Sequence, residues 1–241
     1  MSLITIENGS VSYKGLIKGR LIKRYKRFLA DVRLETGDIV TAHCANSGSM
    51  KMCLMDDAEV YMSYHGNPAR KLKFTLEMIK MPDSLVGINT MLPNKIVASA
   101  IESGKVAGLT GYSKIKPEIT VSKGSRLDLL LTEEGRRDCY VEIKNSTLVE
   151  NGKASFPDAV TKRGQKHLVE LEHLVNKGKR GVIFFLIQRM GVKSFSPADN
   201  IDKEYGSLLR RVIENGVEVM AYDCCLDKLS INIDKSVEII L

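Results

Sequence analysis

The chain has 241 residues, enough for one large domain or two modest ones, and its 44% hydrophobic and 27% charged residues exclude a disordered or low-complexity protein. No apolar run approaches the roughly 18 residues of a membrane-spanning helix, and MSLITIENGS lacks the basic-then-apolar pattern of an export signal. The net charge of +7 is uneven: residues 1–80 hold 13 Lys/Arg against 8 Asp/Glu, whereas residues 81–241 hold 23 against 21.

Within that basic first third, KGRLIKRYKR packs Lys18, Arg20, Lys23, Arg24, Lys26 and Arg27 into ten residues. Such a density attracts polyanions by counterion release, which makes nucleic acid the expected partner; a merely solvated face is the plainer reading. The five cysteines (Cys44, Cys53, Cys139, Cys224 and Cys225) are odd in number and form no C-x-x-C pair, so reduced thiols and a cytoplasmic location are expected.

In chain order, short strands are predicted at 16–23, 28–34, 39–43, 60–64 and 72–80, with no helix among them. Alternation in FLADVRL and the turn residues Glu35 to Asp38 suit a meander in a small β-barrel. Periodicity alone does not separate an OB-type barrel from other five-stranded barrels. Residues 81–90, with Pro82, Asp83 and Gly87, read as a linker, so the expected domains are 1–80 and 81–241. LPNKIVASAIESGK then reads as a helix opened by Pro93 and ended by Gly104.

Three strand-like runs follow, IKPEITV, RLDLLLT and CYVEIKNSTL, separated by short polar breaks that favour antiparallel hairpins. A helix is predicted over 161–175, a strand covered on both faces at GVIFFLIQ, a helix over 203–214 and a strand at VEVMAY. Strand, crossover helix and strand in succession imply a parallel right-handed unit beside the antiparallel meander. The expected fold is therefore α/β with an additional β domain, the α/β part a mixed sheet flanked by helices.

In CYVEIK, Glu142 and Lys144 share one face of a strand and Val141 and Ile143 the other. Asp128 lies in RLDLLL, and a turn near Gly135 sets it opposite about position 142 or 143. Two carboxylates meeting at an apolar sheet repel each other and are costly to desolvate unless a cation or proton lies between them. Magnesium fits, since it commonly uses one or two protein carboxylates and keeps several waters. Lys144 can orient or help deprotonate an attacking water beside it. An ordinary Glu–Lys pair on an amphipathic hairpin is the plainer reading of the same residues.

The element order resembles the αβββαβ core of the PD-(D/E)xK nuclease superfamily over roughly residues 90–225. That resemblance implies Asp128, Glu142, Lys144 and Glu102 as catalytic residues, Glu102 being a further acidic residue from the first helix, and Asp128 and Glu142 as ligands of Mg²⁺ or Mn²⁺. Leu127 stands where the superfamily motif has Pro. More specifically, KRYKRFLADV, HCANSGSM, NPARKLKFT, SRLDLLL, YVEIKNSTL, FPDAVTKRGQKHLVEL and NGVEVMAY resemble the sugar fermentation stimulation protein A family across almost the whole chain. This resemblance implies an N-terminal OB-like barrel, a restriction-endonuclease-like second domain, DNA binding and a part in regulating sugar metabolism.

On the helix at 161–175, Arg163, Lys166, His167 and Glu170 lie beside an apolar stripe of Leu168, Leu171 and Val175. Arg163 and Lys166 are candidate phosphate contacts, Gln165 orders the helix start or the substrate, and a Lys166–Glu170 ion pair is the plainer alternative. His167 is a candidate proton donor or a structural histidine. In the first domain, Arg24, Lys26, Arg27, Arg70, Lys71 and Lys73 are the expected nucleic-acid contacts, while Phe28 and Phe74 read as barrel core more than as stacking platforms. Asn46 to Ser49 turn sharply, whether as an anion-binding nest or as a simple loop. Nothing resembles a helix-turn-helix. The leading expectation is sequence-nonspecific DNA binding; the alternatives are an active Mg²⁺- or Mn²⁺-dependent nuclease and a basic surface that meets an acidic protein.

Overall fold

The computed structural model describes residues 4–241. Its strands are β1 (Ile4–Glu7), β2 (Ser10–Tyr13), β3 (Ile17–Tyr25), β4 (Leu29–Leu34), β5 (Ile39–Cys44), β6 (Glu59–Tyr64), β7 (Phe74–Lys80) and β8 (Leu85–Gly87). Helix α1 (Pro93–Glu102) leads to β9 (Lys114–Ser122), β10 (Ser125–Thr132), β11 (Cys139–Ser146), β12 (Leu148–Glu150) and β13 (Lys153–Phe156). After α2 (Lys162–Asn176) come β14 (Arg180–Ile187), β15 (Ser194–Pro197), α3 (Lys203–Glu214), β16 (Glu218–Leu226), β17 (Ser230–Ser236) and β18 (Glu238–Ile239).

Strands β3 to β7 close into a barrel. Antiparallel pairs join β5 to β4, β4 to β3, β3 to β6 and β6 to β7, and the parallel pair β5–β7 shuts the ring. This closure is the OB arrangement that periodicity leaves undecided. Strand β3 must curve to serve both β4 and β6, and it does so at a bulge between Leu21 and Lys23. Gly19 allows that closeness: a Cβ there would lie 2.4 Å from Val32 Cγ1 and 2.9 Å from the Arg33 carbonyl oxygen. The interior is filled by Leu21, Val32, Val60, Met62, Leu76 and Ile79. Phe74 packs against this core, but Phe28 is 46% exposed, which corrects its reading as a core residue: it sits in the β3–β4 turn, beyond the last inward-facing position.

The second body is an eight-stranded mixed sheet in the order β1-β2-β17-β16-β14-β11-β10-β9. As the pattern predicts, β9, β10 and β11 are an antiparallel meander, and β11, β14 and β16 run parallel. Strand β14 is central: Val182, Phe184 and Leu186 enter the core under α1, while Ile183, Phe185 and Ile187 enter the one under α2 and α3. A small sheet, β12-β13-β15-β18, flanks it.

The two bodies are not consecutive blocks divided at residue 80. Strand β2 pairs with β17 at the far side of the large sheet, and β8, inside the expected linker, pairs with β7 and extends the barrel sheet. A short 3-10 turn at Lys51–Cys53 also interrupts the strands of the first third. All five cysteines are free thiols, four of them buried. Among the described residues no helix is long and apolar enough to cross a membrane.

Candidate metal and phosphate site

Glu142 and Lys144 project from β11 on the face covered by α2, and Val141 and Ile143 enter the core on the other side. The β10–β11 ladder runs only from Leu129 to Leu131. Beyond it the carboxylate of Asp128 takes over: Oδ2 accepts from the Ile143 N–H at 2.7 Å and Oδ1 from Asn94 Nδ2 at 2.7 Å. The strands thus part where the acidic residues stand. Pro93 starts α1 and so places Asn94 in its first turn, at the rim of that gap.

Glu142 is 2% exposed. Its Oε1 accepts from Lys144 Nζ at 2.6 Å and meets His167 Nδ1, which is also 3.4 Å from Lys144 Nζ. Its Oε2 is buried and has no hydrogen-bond partner. Burial opposes ionisation of Glu142, yet Lys144 and His167 outweigh it and hold this carboxyl below its ordinary range. Burial, reinforced by the charge of Glu142, pushes Asp128 the other way, up to about 6, against the Ile143 N–H, Lys144 and Asn94. The pair is therefore asymmetric, one member ionised and the other close to protonation near neutral pH.

A cavity of about 360 Å³ opens over these groups, between the two bodies. Asp128, Glu142, Lys144, His167 and Arg163 line it from the large domain, and Asn46, Ser47 and Gly48 from the barrel. The barrel loop is held from both sides. Arg24 donates to the carbonyls of Asn46 (2.8 Å) and Gly48 (3.1 Å), and Asp158 Oδ2 accepts from Ser49 Oγ and the Met50 N–H. Sequence reasoning does not single out Asn94 or Asp158 as site residues. Pro93 offers a signal for the first; nothing local marks the second.

The other candidates divide clearly. Glu102 stands exposed at the end of α1 and lines a neighbouring cleft with Asp128, not the cavity over Glu142. Arg70 donates to Thr75 Oγ1, and Lys73 to the carbonyls of Asn67 and Pro68, so both bind their own domain. Lys26, Arg27 and Lys71 are exposed. The exposed Arg163 makes no side-chain hydrogen bond or ion pair among the described residues and lines the central cavity. Lys166 reaches the Gly124 carbonyl and Glu170 accepts from Ser122 Oγ, so these two do not form the ion pair that their spacing allows. Gln165 is buried against Asp202, at the junction of α2 and α3, and orders the helix start.

The family is decided by comparison. Residues 22–88 match the SfsA N-terminal OB domain, and residues 91–230 match the sugar fermentation stimulation protein RE domain. The chain belongs to the SfsA family. The sugar fermentation stimulation protein homolog of Geobacter sulfurreducens is 54% identical over 207 residues, covering 86% of this chain and 88% of that protein. The SfsA homolog of Pelobacter propionicus is 51% identical over 226 residues, covering 94% and 98%. Among solved structures, SfsA of Pyrococcus furiosus in complex with Ca²⁺ superposes with a TM-score of 0.88 at 27% identity, covering 95% of this chain and 98% of that one.

The donor set fits a hard divalent cation. Among the described residues no group of three or more His, Cys, Asp or Glu is placed to hold a metal ion; Asp128 and Glu142 are two carboxylates on one cavity, and Mg²⁺ commonly takes one or two and keeps several waters. Without it, Asp128 carries a buried charge beside another. Its folded pKa lies above the unfolded value of 3.8, so the folded state binds more protons; its contribution is fully favourable below about pH 4 and is lost as pH rises through about 6. Asp128→Asn, with the Asn94 amide rotated to accept, is expected to stabilise the metal-free protein at pH 8 by about 2 kcal/mol. The gain disappears at pH 4, as thermal melts in a chelator at the two pH values would show.

Proposed function

We propose that this SfsA-family protein binds nucleic acid by its phosphate backbone and hydrolyses phosphodiester bonds in it with Mg²⁺ or Mn²⁺ held by Asp128 and Glu142. The observation that carries the reading is the buried, unpartnered Glu142 Oε2 beside a second carboxylate that burial has driven towards protonation. A buried oxygen without a partner costs about 1–3 kcal/mol, and a cation removes both that cost and the repulsion. The Pyrococcus furiosus protein was solved in complex with Ca²⁺, also a hard divalent ion, which supports the same choice.

Bound there, the cation supplies Lewis-acid polarisation of a phosphoryl oxygen and lowers the pKa of a bound water. The chain's own residues do the rest. Lys144 Nζ keeps Glu142 Oε1 occupied, so that Oε2 is the oxygen left for the metal, and its charge offsets the charge that develops on phosphorus. His167 braces the same oxygen from α2. Arg163 is free to take a phosphate at the cavity rim. Lys26, Arg27 and Lys71 lie on the barrel as further phosphate contacts, and Lys166 lies on α2. A role for the family in sugar metabolism would then act through nucleic acid bound with little sequence readout.

Binding without cleavage is the second reading. It is favoured by the engagement of Lys144 and His167 on Glu142 Oε1, which gives that carboxylate two partners before any cation arrives. Incubating the purified protein with labelled single-stranded, branched and duplex DNA and with RNA, with Mn²⁺ or a chelator, separates the two. Manganese-dependent cleavage of at least one substrate is expected; none on any of them leaves only binding. Affinity in chelator should fall about a hundredfold from roughly 50 to roughly 200 mM salt if about five phosphates are neutralised. Binding insensitive to salt, or confined to one short sequence, would rule out the backbone mode.

A further inference from the structure

Three cavities adjoin in a row, and the two carboxylates stand in the middle one. The central cavity shares Ser47, Gly48, Phe156 and Asp158 with a second, of about 480 Å³, whose outer wall carries Arg24 and Arg27. On its other side it shares Thr90, Asn94 and Asp128 with a third, of about 510 Å³, between α1 and the β9–β10 hairpin. The outer two differ in chemistry. The second is cationic: Arg24 is spent on loop carbonyls, but Arg27, in a left-handed turn (φ +63°), has an exposed side chain. The third is walled by Ala98, Ile115, Pro117 and Leu129, with Met91 68% exposed at its mouth and Lys95, Glu102 and Glu118 lining it. Lys95 and the Arg126–Glu118 ion pair offset much of that acidic charge, so the apolar wall sets the cavity's character and suits the face of a base.

Each cavity falls within the size range of small-ligand pockets, about 300 to 1,000 Å³, and a base enters the third only when it is unstacked and unpaired. Resting on the hydrolytic reading above, we infer that the substrate is a single strand threaded along this row. The reacting phosphate lies over Asp128 and Glu142, one neighbouring nucleotide is held by Arg27, and the other has its base unstacked into the cavity beneath Met91. Because the groove continues on both sides of the carboxylates, an internal phosphodiester bond is the one presented to them. This also gives Glu102 a place, in the lining of the base pocket.

The test measures binding in chelator, where no turnover intervenes, by fluorescence anisotropy of labelled oligo(dT), oligo(rU), a duplex of equal length and an abasic strand. Ala98→Phe fills the base cavity without changing charge, and Met91→Ser reaches it from the exposed rim should the first variant fold poorly; Arg27→Glu reverses charge at the other end. The single strand is expected to bind at least tenfold more tightly than the duplex, and the tighter of the two homopolymers identifies the sugar. Filling the base cavity should weaken the base-bearing strand about tenfold and leave the abasic strand unchanged, whereas Arg27→Glu should weaken both. A duplex bound as tightly as the single strand, or a base-cavity variant that affects both strands equally or neither, overturns the threading. Wild-type cleavage with Mn²⁺, run alongside, keeps the two ideas apart: cleavage with unaffected binding sinks only the groove, and the expected binding pattern without cleavage sinks only the hydrolysis.

Discussion

Glu142→Gln is expected to reduce Mn²⁺-dependent cleavage by about a thousandfold while leaving the fold intact. The side chain keeps its shape but loses the charge by which Oε2 would hold the proposed cation, and the loss of metal-derived stabilisation, several kcal/mol, would correspond to that factor at about 1.36 kcal/mol for each tenfold. The same change removes the negative charge that helps push Asp128 up to about 6. Asp128 then ionises more readily and supplies an anion for Lys144, so the amine is not left without a counter-charge. A second measurement needs no substrate. Mn²⁺ at about a hundred times its dissociation constant should stabilise the wild-type protein by about 2.7 kcal/mol in a melt and Glu142→Gln hardly at all. Equal stabilisation of both proteins would mean that the ion binds elsewhere.

Asp202→Ala should cost about 3 kcal/mol of stability. Asp202 Oδ1 accepts from the Tyr205 N–H and caps α3, worth about 1 kcal/mol. The same carboxylate accepts from the Thr161 N–H and from Gln165 Nε2 at the start of α2, and its loss strands the buried Gln165 amide. For a chain of this size, about 3 kcal/mol lowers Tm by roughly 6 to 12 °C. Because Arg163 and His167 follow within the first two turns of α2, the variant should also cut less well at temperatures where it stays folded. A melt within about 2 °C of wild type, about half a kcal/mol, would show that α2 and α3 do not depend on this carboxylate.

What is legible in the sequence and what is hidden follow from how local each signal is. Apolar runs and alternation locate β14, the meander and the three helices because burial imprints a short period on neighbouring residues. The facing of Glu142 and Lys144 is likewise a local consequence of strand geometry. The Asp128 partner follows from hairpin arithmetic and comes out within a residue, since Oδ2 meets the Ile143 N–H. Asp158 and Ser49 lie 109 positions apart, and their contact belongs to the docking of barrel on sheet, which no window along the chain can see. The small sheet of β12, β13, β15 and β18 escapes for a related reason: strands of two to four residues are too short to display a period. Phe28 misleads because an aromatic ring at the end of a basic run looks the same whether its turn points inward or outward.

The pairing of Ser12 with Ser230 has a consequence for synthesis as well as for shape. Strand β2 is made long before its neighbour β17, so the β1–β2 end of the broad sheet cannot join the rest until β17 has been synthesised. The barrel, whose strand pairings all lie between residues 17 and 87, can close long before that. A nascent chain halted past β8 would therefore carry a formed barrel and a β1–β2 hairpin still waiting for β17.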